Sequence, residues 1–490
     1  MDSITKLQGK LREAEEILQY VSKELEGYGE SKTVGESLNF PALKLRGEQY
    51  AFYEHPLKGK LFRDGYLALL IYVISLGGKK EEGWTLLYRI TAACDYQGEL
   101  QRLTTDAMTL TEEHISELIR GICETKLERT FAIDTMMISH HMGADDAQLQ
   151  FLAGLYELMA IDKNFLAEAI QFVKIFDSTF WDNLAEKSRQ WKFLTARDIA
   201  TYIGAYPADS LDEAAKLEHK RVVIKDITYT SQDVLNLDEW KADEILFLNC
   251  NFENCGGIYS ENKLLKFAEC KFTENIVRYK DVDNKRHWSW THNNYSSYRG
   301  FLQVNSTIFA RCTFKHFRDD VPMIFLENGK IEKCIFEECY QGLGSMLLNI
   351  NKSIVIDTKF ISCGSQLYNF IYHGFFGSNN KSGMGCLIYS YKASFIKNEF
   401  INCNSIVTVN ASSYPLSCII LMQESSCKGC KFESSSIDCK YGYLGDQPGK
   451  VATIGMMDSE ENENKGDVSI IEISNIPKEI FIVGNKNYDN

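Results

Sequence analysis

Phe309-Ala-Arg-Cys312-Thr-Phe314-Lys-His-Phe317 is followed, 22 residues later, by Ile331-Glu-Lys-Cys334-Ile-Phe336-Glu-Glu-Cys339. Both stretches read apolar-x-x-small-x-Phe-x-x-(Cys or similar). Working outward, the same pattern fits Phe247/Cys250/Phe252/Cys255 and Phe267/Cys270/Phe272/Asn275 on one side. On the other side it fits Val355/Thr358/Phe360/Cys363, Phe395/Asn398/Phe400/Cys403 and Cys427/Cys430/Phe432/Ser435. Phenylalanine holds its slot in every segment, and the small positions lie 20, 42, 22, 24, 40 and 32 residues apart. A second apolar strand, such as Phe301-Leu, Met323-Ile-Phe-Leu, Met346-Leu-Leu, Cys386-Leu-Ile or Cys418-Ile-Ile, stands ahead of most segments. Short strands at this period, without an intervening helix, predict a chain wound as a parallel β-helix. Winding brings equal positions of successive circuits about 4.8 Å apart, so the phenylalanines should form one ladder and the Cys/Thr/Asn positions another. A leucine-rich horseshoe would need a Leu/Asn framework that is missing.

The other half has a different period. Leu11, Ala14, Ile17, Leu18 and Val21 recur at helical spacing, as do Ile115, Leu118, Ile119 and Ile122 after Thr111-Glu-Glu. Phe151–Ile161 and Phe165–Phe176 are apolar on more than one face, as the central helices of a bundle are. The pattern fades at Tyr206-Pro-Ala-Asp-Ser and gives way to the alternation of Arg221-Val-Val-Ile-Lys. The predicted fold is multidomain α + β: an all-α helical bundle over 1–206, a linker and cap over 207–242, and a right-handed parallel β-helix solenoid of about eight circuits over 243–490.

Composition excludes several classes. A chain of 490 residues that is 44% hydrophobic, 24% charged and 12% aromatic is not disordered, collagen-like or of low complexity. Fifty-three basic against 67 acidic residues leave a net charge of −14, which disfavours duplex nucleic acid and anionic membrane. The first 220 residues hold 25 Lys/Arg and 35 Asp/Glu, so most of the acid excess is theirs. The charged amphipathic N-terminus lacks the apolar core of a signal peptide, and the longest apolar run, Tyr66–Leu76, is too short for a bilayer crossing. Fifteen cysteines, 13 of them between Cys250 and Cys439, then read as reduced thiols of a cytoplasmic protein.

The repeat half resembles the right-handed parallel β-helix superfamily of pectate lyases, polygalacturonases and phage tailspikes. That likeness specifies fold well and function poorly. In the helical half, Leu67–Trp84 and Met136–Asp162 each resemble the unit of apolar helix, glycine-containing acidic turn and second helix of TerB-like, tellurite-resistance domains. The resemblance implies a role in bacterial stress response or phage defence. The family's Asp-Gly is replaced by Gly77-Gly78 before lysines and by Met142-Gly143, so no metal is expected.

Candidate chemistry is sparse. The close pair Cys427/Cys430 invites a zinc reading, yet both fall on repeat slots that other circuits fill with non-ligating residues. Of the polygalacturonase motifs only Arg318-Asp-Asp320 and Tyr372-His-Gly374 have counterparts, and an Asp-Asp pair beside Val321-Pro322 reads as turn chemistry. His140 and His141 point about 100° apart on a helix and cannot easily share an ion. No phosphate-binding loop, dinucleotide fingerprint, zinc-protease or nucleophile-elbow motif occurs. Acidic Asp458–Asp467 reads as a solvated loop.

The enlarged circuits carry the functional signal. Insertions at 256–263, 276–300, 318–322, 340–345, 364–385 and 404–417 all occupy one corner, and one corner of a solenoid lies on one flank. The longest carry Arg286, His287, Trp288, Trp290, His292, Tyr295 and Tyr298, and then Tyr372, His373, Phe375 and Phe376. Aromatics with Arg and His are the side chains that dominate recognition surfaces. The expectation is a cytoplasmic, non-catalytic recognition or scaffold protein whose helical domain docks a partner. No catalytic residue, metal or cofactor is expected. A protein partner is the first expectation, a glycan or nucleotide also suits the aromatic loops, and a homo-oligomer is compatible. The alternative is a carbohydrate-active enzyme, a polysaccharide lyase or glycoside hydrolase, on a β-helix scaffold.

Overall fold

Each small residue of the repeat follows a residue in the left-handed region. Asp226, Asn249, Glu269, Arg311, Lys333, Asp357, Lys397, Gly429 and Glu463 all have φ between 48° and 63°. A left-handed non-glycine residue costs roughly 1–2 kcal/mol. Hydrogen bonds between circuits offset it: Asn249 N–H donates to the Ala268 carbonyl, Glu269 to Ala310, Arg311 to Glu332 and Lys333 to Ile356. A corner thus recurs once per circuit between two strands. Further corners turn at His316, Glu338, Ser362, Asn402 and Ser434, and at Ser306, Asn328, Lys352, Lys392, Glu424 and Asp458.

These corners join strands into stacked, all-parallel sheets in the computed structural model. It describes residues 38–49, 52, 54–98, 100–144, 146–176, 184, 187–231, 233–273, 301–319, 323–341, 346–369, 384–409, 416–441 and 450–472. Sheet A runs through Arg221–Lys225, Glu244–Leu248, Leu264–Ala268, Thr307–Ala310 and on to Glu460–Asn462. Sheet B holds the phenylalanine slot, from Thr228–Tyr229 to Lys465–Gly466, and sheet C the leading apolar strands, from Leu235–Asn236 to Ile470–Glu472. Sheets B and C have nine strands each. Parallel pairing is already present between Arg221–Lys225 and Glu244–Leu248. The short helix Leu211–Lys216 lies just before that strand, with Ala214 buried in the same core.

Inside, the ladders stack. Phe252, Phe272, Phe314, Phe336, Phe360, Phe400 and Phe432 have successive ring centroids 4.5–4.9 Å apart and planes within 10° of parallel. A second stack, Phe247, Phe267 and Phe309, is continued in register by Ile331, Val355, Phe395 and Cys427. Those rings are fully buried, and they share one apolar core with Leu302, Ile324, Leu348, Ile388 and Ile420 of sheet C.

Two sequence expectations need correction. Asp458–Asp467 is not a loop: Glu460–Asn462 and Lys465–Gly466 continue sheets A and B, with Glu461 opposite Cys427 and Gly466 opposite Phe432. Main-chain pairing rather than an apolar side chain makes this circuit, and Asn464 takes the corner by accepting from Cys430 N–H at 2.8 Å and donating to the Cys427 carbonyl at 3.2 Å. The insertion corner is also more ordered than expected. Arg318–Asp319, Tyr340–Gln341, Gly364–Asn369, Asn404–Val409 and Ser436–Tyr441 form a fourth, five-stranded parallel sheet, D, so most of the excursions begin as strands.

The first of the two units, Met1–Pro207, is mainly helical over its described residues. Its described helices are α1 (Phe40–Gln49), α2 (Arg63–Leu76), α3 (Lys80–Ala93), α4 (Leu100–Met108), α5 (Glu112–Glu124), α6 (Glu128–Met142), α7 (Asp146–Leu158), α8 (Lys163–Ile175) and α9 (Ala196–Ile203). Asp162 starts α8 by accepting from Asn164 and Phe165 N–H groups, and Thr111 starts α5 with His114 in the reciprocal role. Gly77 has extended backbone, and a Cβ there would come within 2.7 Å of Met142. Close packing rather than turn geometry therefore requires glycine at this position.

Candidate recognition face

The longest excursions open onto one sheet. Lys271–Thr273 of sheet B and Leu302–Asn305 of sheet C flank the 276–300 stretch; Gly364–Asn369 of sheet D and Met384–Tyr391 of sheet C flank the other. Because sheet C is parallel throughout, both stretches enter it at the same end of its strands. The strands lengthen there. Sheet D pairs over six residues from Gly364–Asn369 to Asn404–Val409, and Met384–Tyr391, Leu416–Gln423 and Lys450–Met457 of sheet C are eight residues each. Small hydroxyls let the two sheets approach: Ser417 Oγ donates to the Ser405 carbonyl at 2.8 Å and lies 2.9 Å from Ser405 Oγ, with Ser365 next in the row.

Alternation along sheet C sends every second side chain away from the main core. In register these are Tyr259, Gln303, Phe325, Asn349, Tyr389 and Leu421, then Asn305, Glu327, Asn351, Tyr391, Gln423 and Met457. Leu416, Cys418 and Leu421 pack with Met346, Cys386 and Tyr389 in a second small apolar cluster. Gln303, Asn349 and Tyr389 are buried, whereas Asn305, Glu327, Asn351, Tyr391 and Gln423 are half-buried. Amides link neighbouring circuits: Gln303 Nε2 donates to Glu261 Oε1 at 2.9 Å, Asn351 Nδ2 to Glu327 Oε1 at 3.3 Å, and Tyr389 OH to Gln423 Oε1 at 3.1 Å. The result is a polar and aromatic rail with its members one strand spacing apart.

Several carboxylates along the solenoid are paired with cations. Glu244 pairs with Arg221 and Lys266, Glu337 with Lys315, Glu399 with Lys359 at 2.8 Å and Glu424 with Lys392 at 3.3 Å. Among the described residues no group of three or more His, Cys, Asp or Glu gathers as a metal site. Six corner thiols instead donate to a carbonyl of the preceding circuit: Cys270 to Phe247, Cys312 to Phe267, Cys334 to Phe309, Cys339 to Phe314, Cys363 to Phe336 and Cys403 to Phe360. Burial pushes Cys312, Cys363 and Cys403 above the ordinary thiol value, so they stay protonated. In Cys427-Lys-Gly-Cys430, the hydrogen bond to Cys430 and then burial raise Cys427.

Among the described residues, a polar cluster with a catalytic look lies in the helical unit around Asp134. Asp134 is fully buried. Its Oδ2 accepts from Tyr66 OH at 2.6 Å and from His55 Nε2 at 3.0 Å, and its Oδ1 from Tyr202 OH at 2.8 Å. Leu57 N–H donates to His55 Nδ1, which places the imidazole proton on Nε2. Burial, then the Asp134 carboxylate, push both phenols well above their ordinary value, so they remain donors. All three donors are spent on the carboxylate and none of the four side chains reaches solvent, so the cluster ties helices together rather than meeting a substrate. Its sequence signal is faint: Asp134 lies three residues from Phe131 and Met137 on one helical face.

Arg286, His287, Trp288, Trp290, His292, Tyr295, Tyr298, Tyr372, His373, Phe375 and Phe376 lie outside the described residues. His140 and His141 end α6 with rings at 88°, and His141 Nδ1 lies 2.8 Å from the Met137 carbonyl. Among the described residues no helix is long and apolar enough to cross a membrane. No family model matches the chain, and no curated protein does.

Proposed function

We propose that this chain is a non-catalytic recognition or scaffold protein of the cytoplasm. Its second half is a right-handed parallel β-helix of the pectate-lyase and tailspike type, used as a rigid rod, and its first half is a TerB-like helical domain that docks a partner. The observation that supports this best is the entry of both long aromatic stretches into the same end of sheet C, beside the amide and aromatic rail. Aromatic and Arg side chains gathered on one flank of a rigid scaffold are what a recognition surface needs. The carbohydrate-active alternative asks for two carboxylates facing an open groove. The ion pairs that hold Glu244, Glu337, Glu399 and Glu424 weigh against it.

The ligand on this face is proposed to be a protein, with the role in bacterial stress response or phage defence that a TerB-like half implies. The test compares capture from native lysate by the whole chain and by a chain lacking 276–300, with urea unfolding as a check on folding. A partner held by the first and lost by the second is the expected result. Equal capture by both, or turnover of an added polysaccharide, overturns the proposal.

A further inference from the structure

We propose that a groove between α2, α4 and α5 docks a basic amphipathic helix of a partner protein. The idea deepens the docking role given above to the helical half and rests on it. The groove has a volume of about 230 Å³. Leu103, Leu110 and Leu118 form its apolar floor, and Asp64, Asp106 and Glu117 stand at its rim. These three carboxylates are exposed, whereas Leu103 is buried and Leu110 and Leu118 are half-buried. One wall is held close by Gly65, where a Cβ would fall 2.2 Å from Leu118 Cδ2.

Size and charge together choose the occupant. An apolar cavity of about 150 Å³ accepts a benzene ring, so this groove takes one large side chain with room beside it. Helix-in-groove recognition supplies such anchors at i, i+3, i+4 and i+7. The rim selects their flanks: α5 alone carries four glutamates against Arg120, which pairs only loosely with Glu117 at 3.9 Å. A ligand with Lys or Arg beside its anchors completes this surface, and an acidic one is repelled. The chain's own residues 1–37, with five basic and eight acidic residues, have the wrong sign.

Fluorescence anisotropy on the full chain tests this with three labelled peptides, two of them designed helices of about 16 residues, or about four turns. One has Leu and Phe anchors and Lys flanks, one has Glu in place of Lys, and one is the 1–37 sequence. The lysine peptide should bind, weaken with salt, and lose at least about tenfold in affinity to the D106K/E117K chain. An E253K/E433K chain makes the same charge change on sheet B and should bind as the parent does. Equal loss in both variants, equal binding of the glutamate peptide, or preferential binding of the 1–37 peptide overturns the proposal. A chain lacking 276–300 should still bind the lysine peptide, which separates failure of this groove from failure of the loop face.

Discussion

Asp134 shows how much one buried side chain can hold. Replacing it by alanine leaves the hydroxyls of Tyr66 and Tyr202 and the imidazole N–H of His55 buried without their acceptor. Asp134→Ala should cost about 3–5 kcal/mol, read as a lower urea midpoint for the helical unit. Phe336 lies in the middle of the ring stack, parallel to Phe314 and Phe360. Phe336→Ala opens a cavity at a site gripped on both sides and should also cost about 3–5 kcal/mol. The buried thiols give a pH dependence. Burial raises Cys418 from its ordinary value of 9.0 to about 12 and Cys94 to about 11. A raised folded value means that the unfolded thiol ionises first, so stability is full below pH 9 and falls as pH rises towards 12. The urea midpoint should be lower at about pH 10 than at about pH 8 under reducing conditions.

At the scale of elements, the corners rather than the strands carry the strain. Lys397 has φ 54°, at the same corner as Gly429 of the next circuit. Lys397→Gly should therefore be neutral or stabilising, by up to about 1 kcal/mol, because glycine accepts this conformation freely. Lys397→Val should destabilise by at least about 1 kcal/mol, since a β-branched side chain fits the left-handed region worst. Thermal melts of the two variants against the parent check the sign. The same corners explain why the circuit through Asp458–Asp467 escapes a reading based on apolar slots. Its carbonyls and N–H groups pair as elsewhere, with Asp458 and Glu463 left-handed, while Glu461 and Gly466 replace the expected apolar residue and phenylalanine and Asn464 keeps the corner slot. Sheet D was hidden for a related reason: its strands, such as Gly364-Ser-Gln-Leu-Tyr-Asn369, have no regular alternation, and only neighbouring circuits make them strands.

For the whole molecule, two units with separate cores should unfold separately. Urea unfolding followed by far-ultraviolet circular dichroism should show two transitions, with Asp134→Ala moving one and Phe336→Ala the other. A single transition shifted equally by both substitutions would show that the units unfold as one. The repeating period, the phenylalanine ladder and the sheet of leading strands were legible in the sequence because winding maps spacing onto register: equal slots must stack. The corner shared by the insertions was legible for the same reason. Tertiary structure alone decided the rest. It brought His55, Tyr66 and Tyr202 to Asp134 from three distant segments, and it gathered α2, α4 and α5 around an acidic-rimmed groove. Those meetings depend on how helices cross in space, and no fixed period along the chain records them.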